Sequence, residues 1–294
     1  MRMTGRRESE NVDDRRGRSG GMSGLKIGGG IGGVIIAFVI ALIMNGGDFT
    51  SALQSVDLSQ VVTVDESGQQ TEYVPSAQEQ ELATFASQVL AGTEDVWTEE
   101  FRKIGRTYEP PKLVLFSDRV QSGCGGATSS SGPFYCSADQ CVYIDLSFFM
   151  QMRQQLGADG DFAYAYVIAH EVGHHVQYLL GTLGKAHSKM AQLSEKEANK
   201  ISVQLELQAD CYAGIWAYHD NKMFNSLEDG DIEEALRCAQ VIGDDYLQKK
   251  AQGYTVPESF NHGTSAQRSK WLKRGLRSGD MKDADTFAYS YSEL

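Results

Sequence analysis

The chain has 294 residues, of which 41% are hydrophobic and 10% aromatic. This composition is sufficient for one sizeable hydrophobic core, and it excludes both a disordered chain and a miniprotein held together by disulfides. The formal net charge of -12 argues against a nucleic-acid partner, because phosphate binding needs a surplus of Lys and Arg on some face.

The N-terminal part combines a basic stretch with an apolar segment. The first 26 residues hold seven Arg or Lys and four Asp or Glu, a net charge of +3, which leaves -15 for the rest of the chain. Residues 27–44 carry no charge. That run is just long enough to cross a bilayer, which takes roughly 20 helical residues. Positive charge before the run predicts a cytoplasmic N-terminus with the remainder outside.

We therefore predict a single-pass membrane protein with its large domain in the periplasm or outside the cell. Its parts are a basic cytoplasmic tail at 1–24, a transmembrane anchor in the lipid bilayer at 25–45, a polar stalk at 46–75 and a globular domain at 76–294. A cleaved signal peptide is the alternative. The apolar run is longer than the usual signal-peptide core and no small-x-small site follows Met44, so we favour an uncleaved anchor.

The pattern of the globular part predicts an α+β fold that is dominated by helices, with a small early sheet. Ser76 and Glu79 are spaced as a capping box before an amphipathic helix, and a second helix is predicted at 94–105. Strands are predicted at 112–116 and 142–146. Further helices are predicted near 146–156, 160–180, 189–220, 231–250 and 264–276.

A His-Glu-x-x-His motif lies in the second of these later helices. His170 and His174 are four residues apart, so their imidazoles point the same way on a helix and can share one Zn²⁺ ion. Glu171 lies about 100° around the helix from His170, where it can take a proton from the attacking water without coordinating the metal. The motif predicts zinc-dependent hydrolysis of a peptide bond. Chance produces such a motif in roughly 1 of 100 chains of this length. The prediction of a zinc site therefore also depends on finding a third ligand.

Two histidines leave a catalytic zinc site one protein ligand short. The metzincin class is excluded, because Gln177 and Leu180 stand where it requires Gly and His. Glu206 and Asp210 match the Glu-x-x-x-Asp arrangement of gluzincins such as thermolysin and the HtpX-like membrane proteases. We predict Glu206 as the third ligand and Asp210 as the acceptor for the free ring N–H of a ligating histidine, most plausibly His170. Alternative ligands are Asp210 itself, as in aspzincins, and His187, Glu195, Glu197 and His219.

Three other side chains near these motifs are candidates for supporting roles. His262 precedes a Thr-Ser helix start that could bring it over the metal, where it would stabilise the tetrahedral oxyanion. Arg268 is the second candidate for that role. His175, adjacent to a ligand, points about 100° away from it, which suits a supporting or surface position.

Seven segments carry a resemblance to a known family: 5–12, 132–136, 142–149, 170–174, 206–211, 242–245 and 262–265. Through them the chain resembles the YpfJ-type neutral zinc metallopeptidases of bacteria over nearly its full length. The resemblance implies a single-pass membrane protein with a zincin-like domain, a zinc cofactor and a peptide or protein substrate, and it supplies no particular substrate.

Five cysteines, an odd number, lie in the predicted external domain, where oxidising conditions favour disulfides. Cys124 paired with Cys136 or Cys141 would close a Gly- and Ser-rich loop. Cys211 paired with Cys238 would join two helices. A structural zinc site at Cys124, Cys136 and Cys141 is the alternative, although the spacings lack a Cys-x-x-Cys knuckle.

The leading hypothesis is a membrane-anchored zinc endopeptidase with Glu171 as general base. The contrary hypothesis is a scaffold or binding module that retains the fold and the metal without turnover. The presence of Glu171 argues against the scaffold, because loss of the base is the simplest route to inactivity.

Overall fold

The computed structural model describes residues 1–18 and 73–294, and it confirms the helix-dominated α+β fold with a small sheet. The strands are β1 (Val12–Asp14), β2 (Lys112–Phe116), β3 (Arg119–Ser122), β4 (Gly125–Thr128), β5 (Phe134–Cys136) and β6 (Cys141–Asp145). The α-helices are α1 (Ala77–Lys103), α2 (Ser147–Gln151), α3 (Asp161–Leu180), α4 (Thr182–Met190), α5 (Glu195–Phe224), α6 (Asp231–Val241), α7 (Asp244–Gln252) and α8 (Ser265–Ser278). A π-helical turn (Met152–Leu156) extends α2.

The main sheet has four strands in the order β1-β2-β6-β5, and only the β5–β6 pair is antiparallel. Side chains alternate between its faces, as the pleat requires. Leu113 and Ile144 join the large core beneath the helices, whereas Val114 and Tyr143 join a small cluster on the other face. The two central strands are buried on both faces, which explains why their sequences read as apolar runs.

The N-terminal segment, residues 1–18, is built into this domain, which corrects the prediction of a separate basic tail at 1–24. Val12 of β1 lies beside Leu113 in parallel register, and Arg15 donates its backbone N–H to the carbonyl of Leu115 at 2.8 Å. The guanidinium of Arg6 pairs with Asp220 at 2.6 Å. Arg2, Arg6 and Arg7 therefore pair with acids of the domain, whereas Arg15 and Arg16 pair with acids of the segment itself.

The predicted anchor at 25–45 and all but the last residues of the stalk at 46–75 lie outside the described residues. Within 1–18 and 73–294, no helix is both long and apolar enough to cross a membrane.

Several helix boundaries differ from the prediction. The two helices predicted before residue 105 form one helix, α1, whose capping box at Ser76 and Glu79 is present as expected. The helix predicted at 231–250 is divided into α6 and α7 at Gly243, where an added Cβ would come within 2.4 Å of the backbone nitrogen of Ser265. The pattern also missed α4 and the short strands β1, β3, β4 and β5.

One of the expected disulfides forms. Cys124 and Cys136 are bonded, which joins the β3–β4 hairpin region to β5 and excludes the structural zinc site. Cys211 and Cys238 are free and buried, so the second predicted disulfide is wrong. At Cys211 the backbone of α5 packs closely against Gly275 of α8. A Cβ added at position 275 would lie 2.1 Å from the Cys211 carbonyl oxygen.

Candidate metal centre

Helices α3 and α5 carry the residues of the motif, and they approach each other closely at this point. Gly173 faces Ala209, and a Cβ at position 173 would lie 3.1 Å from the Ala209 Cα. A larger residue at position 173 would therefore push the helices apart. The contact sets the histidines of α3 opposite Glu206 and Asp210 of α5.

The three predicted ligands converge. The Glu206 carboxylate lies 3.1 Å from Nε2 of His170 and 3.4 Å from Nε2 of His174. Donor atoms placed tetrahedrally around zinc at ordinary bond lengths are about 3.3 to 3.5 Å apart. The two nitrogens and a carboxylate oxygen lie within 4.8 Å of one another, so both the donor types and their proximity suit a zinc ion.

The electrostatics of the cluster favour a cation between the ligands. Burial opposes protonation of His170, but Asp210 and Glu206 outweigh it and raise its pKa to about 10. Burial would raise the pKa of Glu206, but positive charge on His174 and His262 holds that pKa well below its usual range. These carboxylates create a negative potential at the position that a divalent metal would occupy.

Asp210 is fully buried and lies behind His170, where the sequence predicted it. Nδ1 of His170 donates to Oδ1 of Asp210 at 2.8 Å, which fixes the tautomer that leaves Nε2 free for a metal. The Tyr166 hydroxyl donates to the same oxygen at 2.6 Å, and Arg268 donates to both carboxylate oxygens at 2.9 Å. The positive charge of Arg268 lowers the pKa of Asp210 against the opposing effect of burial.

These contacts give Arg268 a positioning role, and not the stabilisation of an oxyanion for which the sequence made it a candidate. Its side chain is buried, at 5% exposure, and its guanidinium is committed to Asp210 and to the Tyr166 hydroxyl. It therefore holds the carboxylate that orients His170, and it does not face a substrate oxyanion. Tyr166 was missed, although its position four residues before His170 places it on the same face of α3.

His174 has an orienting partner that the sequence analysis also missed. Its Nδ1 donates to the side-chain oxygen of Gln177 at 2.9 Å, which leaves Nε2 free to face Glu206. The Gln177 amide is fully buried and donates to the carbonyl of Leu205 at 2.7 Å. The residue that excludes the metzincin pattern is thus the one that fixes the second histidine. The signal was its i, i+3 spacing from His174.

Glu171 lies beside the ligands but is not engaged by the protein. Its side chain is mostly buried, with the residue 6% exposed. Its carboxylate makes no hydrogen bond or ion pair with any residue in the described parts of the chain. A carboxylate left free in this position can accept a proton from a water molecule at the ligand cluster.

His262 is held in place by Asp244, the first residue of α7. Nδ1 of His262 donates to Oδ1 of Asp244 at 3.2 Å, while Oδ2 accepts the backbone N–H groups of Asn261, His262 and Gly263. Burial disfavours the charged imidazole, but the negative charges of Glu206 and Asp244 outweigh it and raise its pKa. Asp244 therefore fixes one ring nitrogen and leaves the other, Nε2, without a hydrogen-bond partner among the residues that the structure describes.

The remaining histidines and acids that we considered lie elsewhere. His175 is fully buried, donates through Nε2 to the carbonyl of Glu109 at 2.7 Å, and accepts from the Tyr135 hydroxyl at 2.9 Å. It joins α3 to β5 and is not a ligand. The cluster formed by His170, His174 and Glu206 includes none of the alternative ligands, which are Asp210, His187, Glu195, Glu197 and His219.

Comparison with known proteins supplies a family. The family model described as "Putative neutral zinc metallopeptidase" matches residues 1–287. The "Uncharacterized protein YpfJ" of Escherichia coli (strain K12) is 49% identical over 295 residues, which cover 99% of this chain and 100% of the relative. The "Uncharacterized protein Rv2575" of Mycobacterium tuberculosis is 44% identical over 191 residues, which cover 62% of this chain and 64% of the relative. No solved structure matches the chain.

Proposed function

The chain belongs to the neutral zinc metallopeptidase family, and from this premise we propose that it is an endopeptidase of gluzincin type with Glu171 as its general base. Membership implies a Zn²⁺ cofactor and a peptide or protein substrate. The observation that carries the finer proposal is the approach of Glu206 to both motif histidines, at 3.1 and 3.4 Å. In gluzincins a glutamate supplies the third ligand in this way.

His170, His174 and Glu206 would hold the ion, with Asp210 and Gln177 fixing the two imidazoles. When bound, zinc supplies Lewis acidity, which makes water more acidic and the scissile carbonyl more electrophilic. Glu171 accepts the proton of the attacking water and later returns it to the leaving amine. Nε2 of His262 donates to the oxygen that becomes negative in the transition state, a contribution commonly about 2.7 to 4 kcal/mol.

The test uses the full-length chain, because residues 1–18 are part of the domain. We expect about one zinc per chain in both the wild type and Glu171→Gln, measured by elemental analysis. Cleavage of a fluorogenic peptide library should fall by about 10² to 10⁴-fold in the variant. Glu197→Gln is the matched control, because Glu197 is exposed and pairs with Lys200 at 2.7 Å. Full activity of Glu171→Gln would refute Glu171 as the base.

The same experiment separates the enzyme from the zinc-binding scaffold. A wild type that binds zinc and cleaves no peptide of the library would support the scaffold. A folded protein without zinc would refute both hypotheses.

We propose further that the N-terminal segment and the peptidase domain occupy the same side of any membrane. One crossing by residues 25–45 would place Val12 and Leu113 in different compartments, yet these residues are neighbours in one sheet. This proposal replaces the predicted topology, in which the N-terminus was cytoplasmic and the domain external. Contact of residues 25–45 with the bilayer stays a prediction.

The compartment can be tested by labelling with a membrane-impermeant maleimide. Glu10 and Thr98 are both exposed, and the three native free cysteines are buried, so Glu10→Cys and Thr98→Cys provide clean sites. In intact spheroplasts we expect the two sites to be labelled together or protected together. Labelling of one site alone would contradict the shared compartment.

A further inference from the structure

Helix α8 presents two chemically different faces. Its inner face carries Arg268, which reaches Asp210 behind the metal ligands. Its outer face forms one wall of an open groove against α6, with a volume of about 1010 Å³. This volume is at the upper limit of that of small-molecule sites, which is about 300 to 1,000 Å³. The groove is lined by Arg237, Ser269, Lys270, Lys273, Arg274 and Arg277, among others.

The groove concentrates positive charge in a chain whose formal net charge is -12. Arg274 is committed to Asp283, the acid that lines the groove, at 3.3 Å. Lys270 is committed to the carbonyls of the last two residues, Glu293 and Leu294, at 2.6 and 3.0 Å.

Three further cations in the groove are not committed in this way. Arg237, Lys273 and Arg277 are exposed, and they make no hydrogen bond or ion pair with the residues that the structure describes. Lys273 and Arg277 are one turn apart on α8, and Arg237 faces them from α6. The groove therefore has three free positive groups directed at one volume.

We propose that this groove binds a phosphate group, either as a free phosphate compound or as the headgroup of an anionic lipid. Arginine guanidinium groups match the oxygens of phosphate with paired hydrogen bonds, and lysine adds a compact positive charge. The surrounding negative charge of the chain disfavours a long polyanion, which selects a compact group. This site does not depend on the metal centre.

The test measures binding to the full-length chain with three probes: inorganic phosphate, vesicles of phosphatidylcholine, and the same vesicles with phosphatidic acid. We expect Lys273→Gln/Arg277→Gln to weaken binding of inorganic phosphate, or of the phosphatidic acid vesicles, at least 10-fold. Lys185→Gln/Lys189→Gln is the matched control, because these lysines are exposed and have the same i, i+4 spacing on α4. The control should bind as the wild type does.

Arg237→Gln separates a ligand site from a structural role. It should weaken binding about 5-fold, while the melting temperature without ligand stays unchanged, because Arg237 is exposed and makes no hydrogen bond or ion pair with the residues that the structure describes. Saturable binding of inorganic phosphate identifies a free phosphate compound, and binding of the phosphatidic acid vesicles alone identifies a headgroup. Failure of both probes, or an equal loss in the α4 control, would overturn the proposal.

Discussion

The metal centre and the N-terminal segment both place charged side chains in the interior, but they are assembled over very different distances in sequence. Each helix of the metal centre contributes a pair four residues apart, His170 with His174 and Glu206 with Asp210. In the N-terminal segment, Arg6 and its partner Asp220 are 214 positions apart. Local spacing on a helix makes the first region visible in the sequence, and the second becomes visible only when the chain has folded.

The largest effect should come from Asp210→Asn in the metal centre. The substitution keeps the size of the side chain but leaves the buried Arg268 without a negative partner, which typically costs about 3 to 5 kcal/mol in the free energy of unfolding. Loss of the negative charge behind His170 should also weaken zinc binding about 10 to 100-fold. Urea unfolding and competition with a zinc chelator measure the two effects.

A matched control for Asp210→Asn is available on the surface. Asp283 also pairs with an arginine, Arg274, but the two side chains are 42% and 33% exposed. Asp283→Asn should therefore cost below about 1 kcal/mol. Equal costs for the two substitutions would show that Asp210 is not the acid on which Arg268 depends.

Arg6→Ala should have the next largest effect on stability. It should also show that the N-terminal segment stabilises the fold without influencing the metal centre. Asp220 is fully buried and would lose its partner, at a cost of about 3 kcal/mol in the free energy of unfolding. The guanidinium also lies 3.9 Å from the centre of the Phe224 ring, a contact that disappears with it. Zinc affinity should stay unchanged, because none of these residues touches the ligands. A parallel fall in zinc affinity would mean that the two regions are coupled.

Gln177→Met should have a smaller effect, confined to the metal centre. The substitution preserves volume but removes the acceptor for Nδ1 of His174, which should weaken zinc binding about 10-fold. Gln204→Met on α5 is the control, since the Gln204 amide also donates to backbone carbonyls, those of Thr286 and Tyr289, without touching an imidazole. We expect the control to lower stability and leave zinc affinity intact, as measured by chelator competition. Equal zinc affinity for Gln177→Met and the wild type would remove Gln177 from the orienting role.

The sequence predicted those parts of the fold whose signals are local. The spacing of His170 and His174, the capping box at Ser76 and the apolar strand β2 all follow from periods of a few residues. The strand β1 has three residues of mixed polarity, and only its distant pairing with β2 defines it. The spacing of Tyr166 and Gln177 places both near the motif histidines, but Tyr166 bonds to Asp210 of another helix, which no spacing along its own helix can indicate.

The smallest effect on the free energy of unfolding should come from Arg15→Ala. This substitution tests whether the burial of an ion pair, or its position in the N-terminal segment, determines how much it stabilises the fold. Arg15 follows β1 and pairs with Asp13, with both side chains about one-third exposed, at 36% and 35%. Its backbone N–H would keep its bond to Leu115 after the substitution. The cost should therefore stay below about 1 kcal/mol and shrink at high salt, as for other surface pairs. Urea unfolding at two salt concentrations measures it. A cost equal to that of Arg6→Ala would mean that attachment of the whole segment, and not the buried pair, determines its stability.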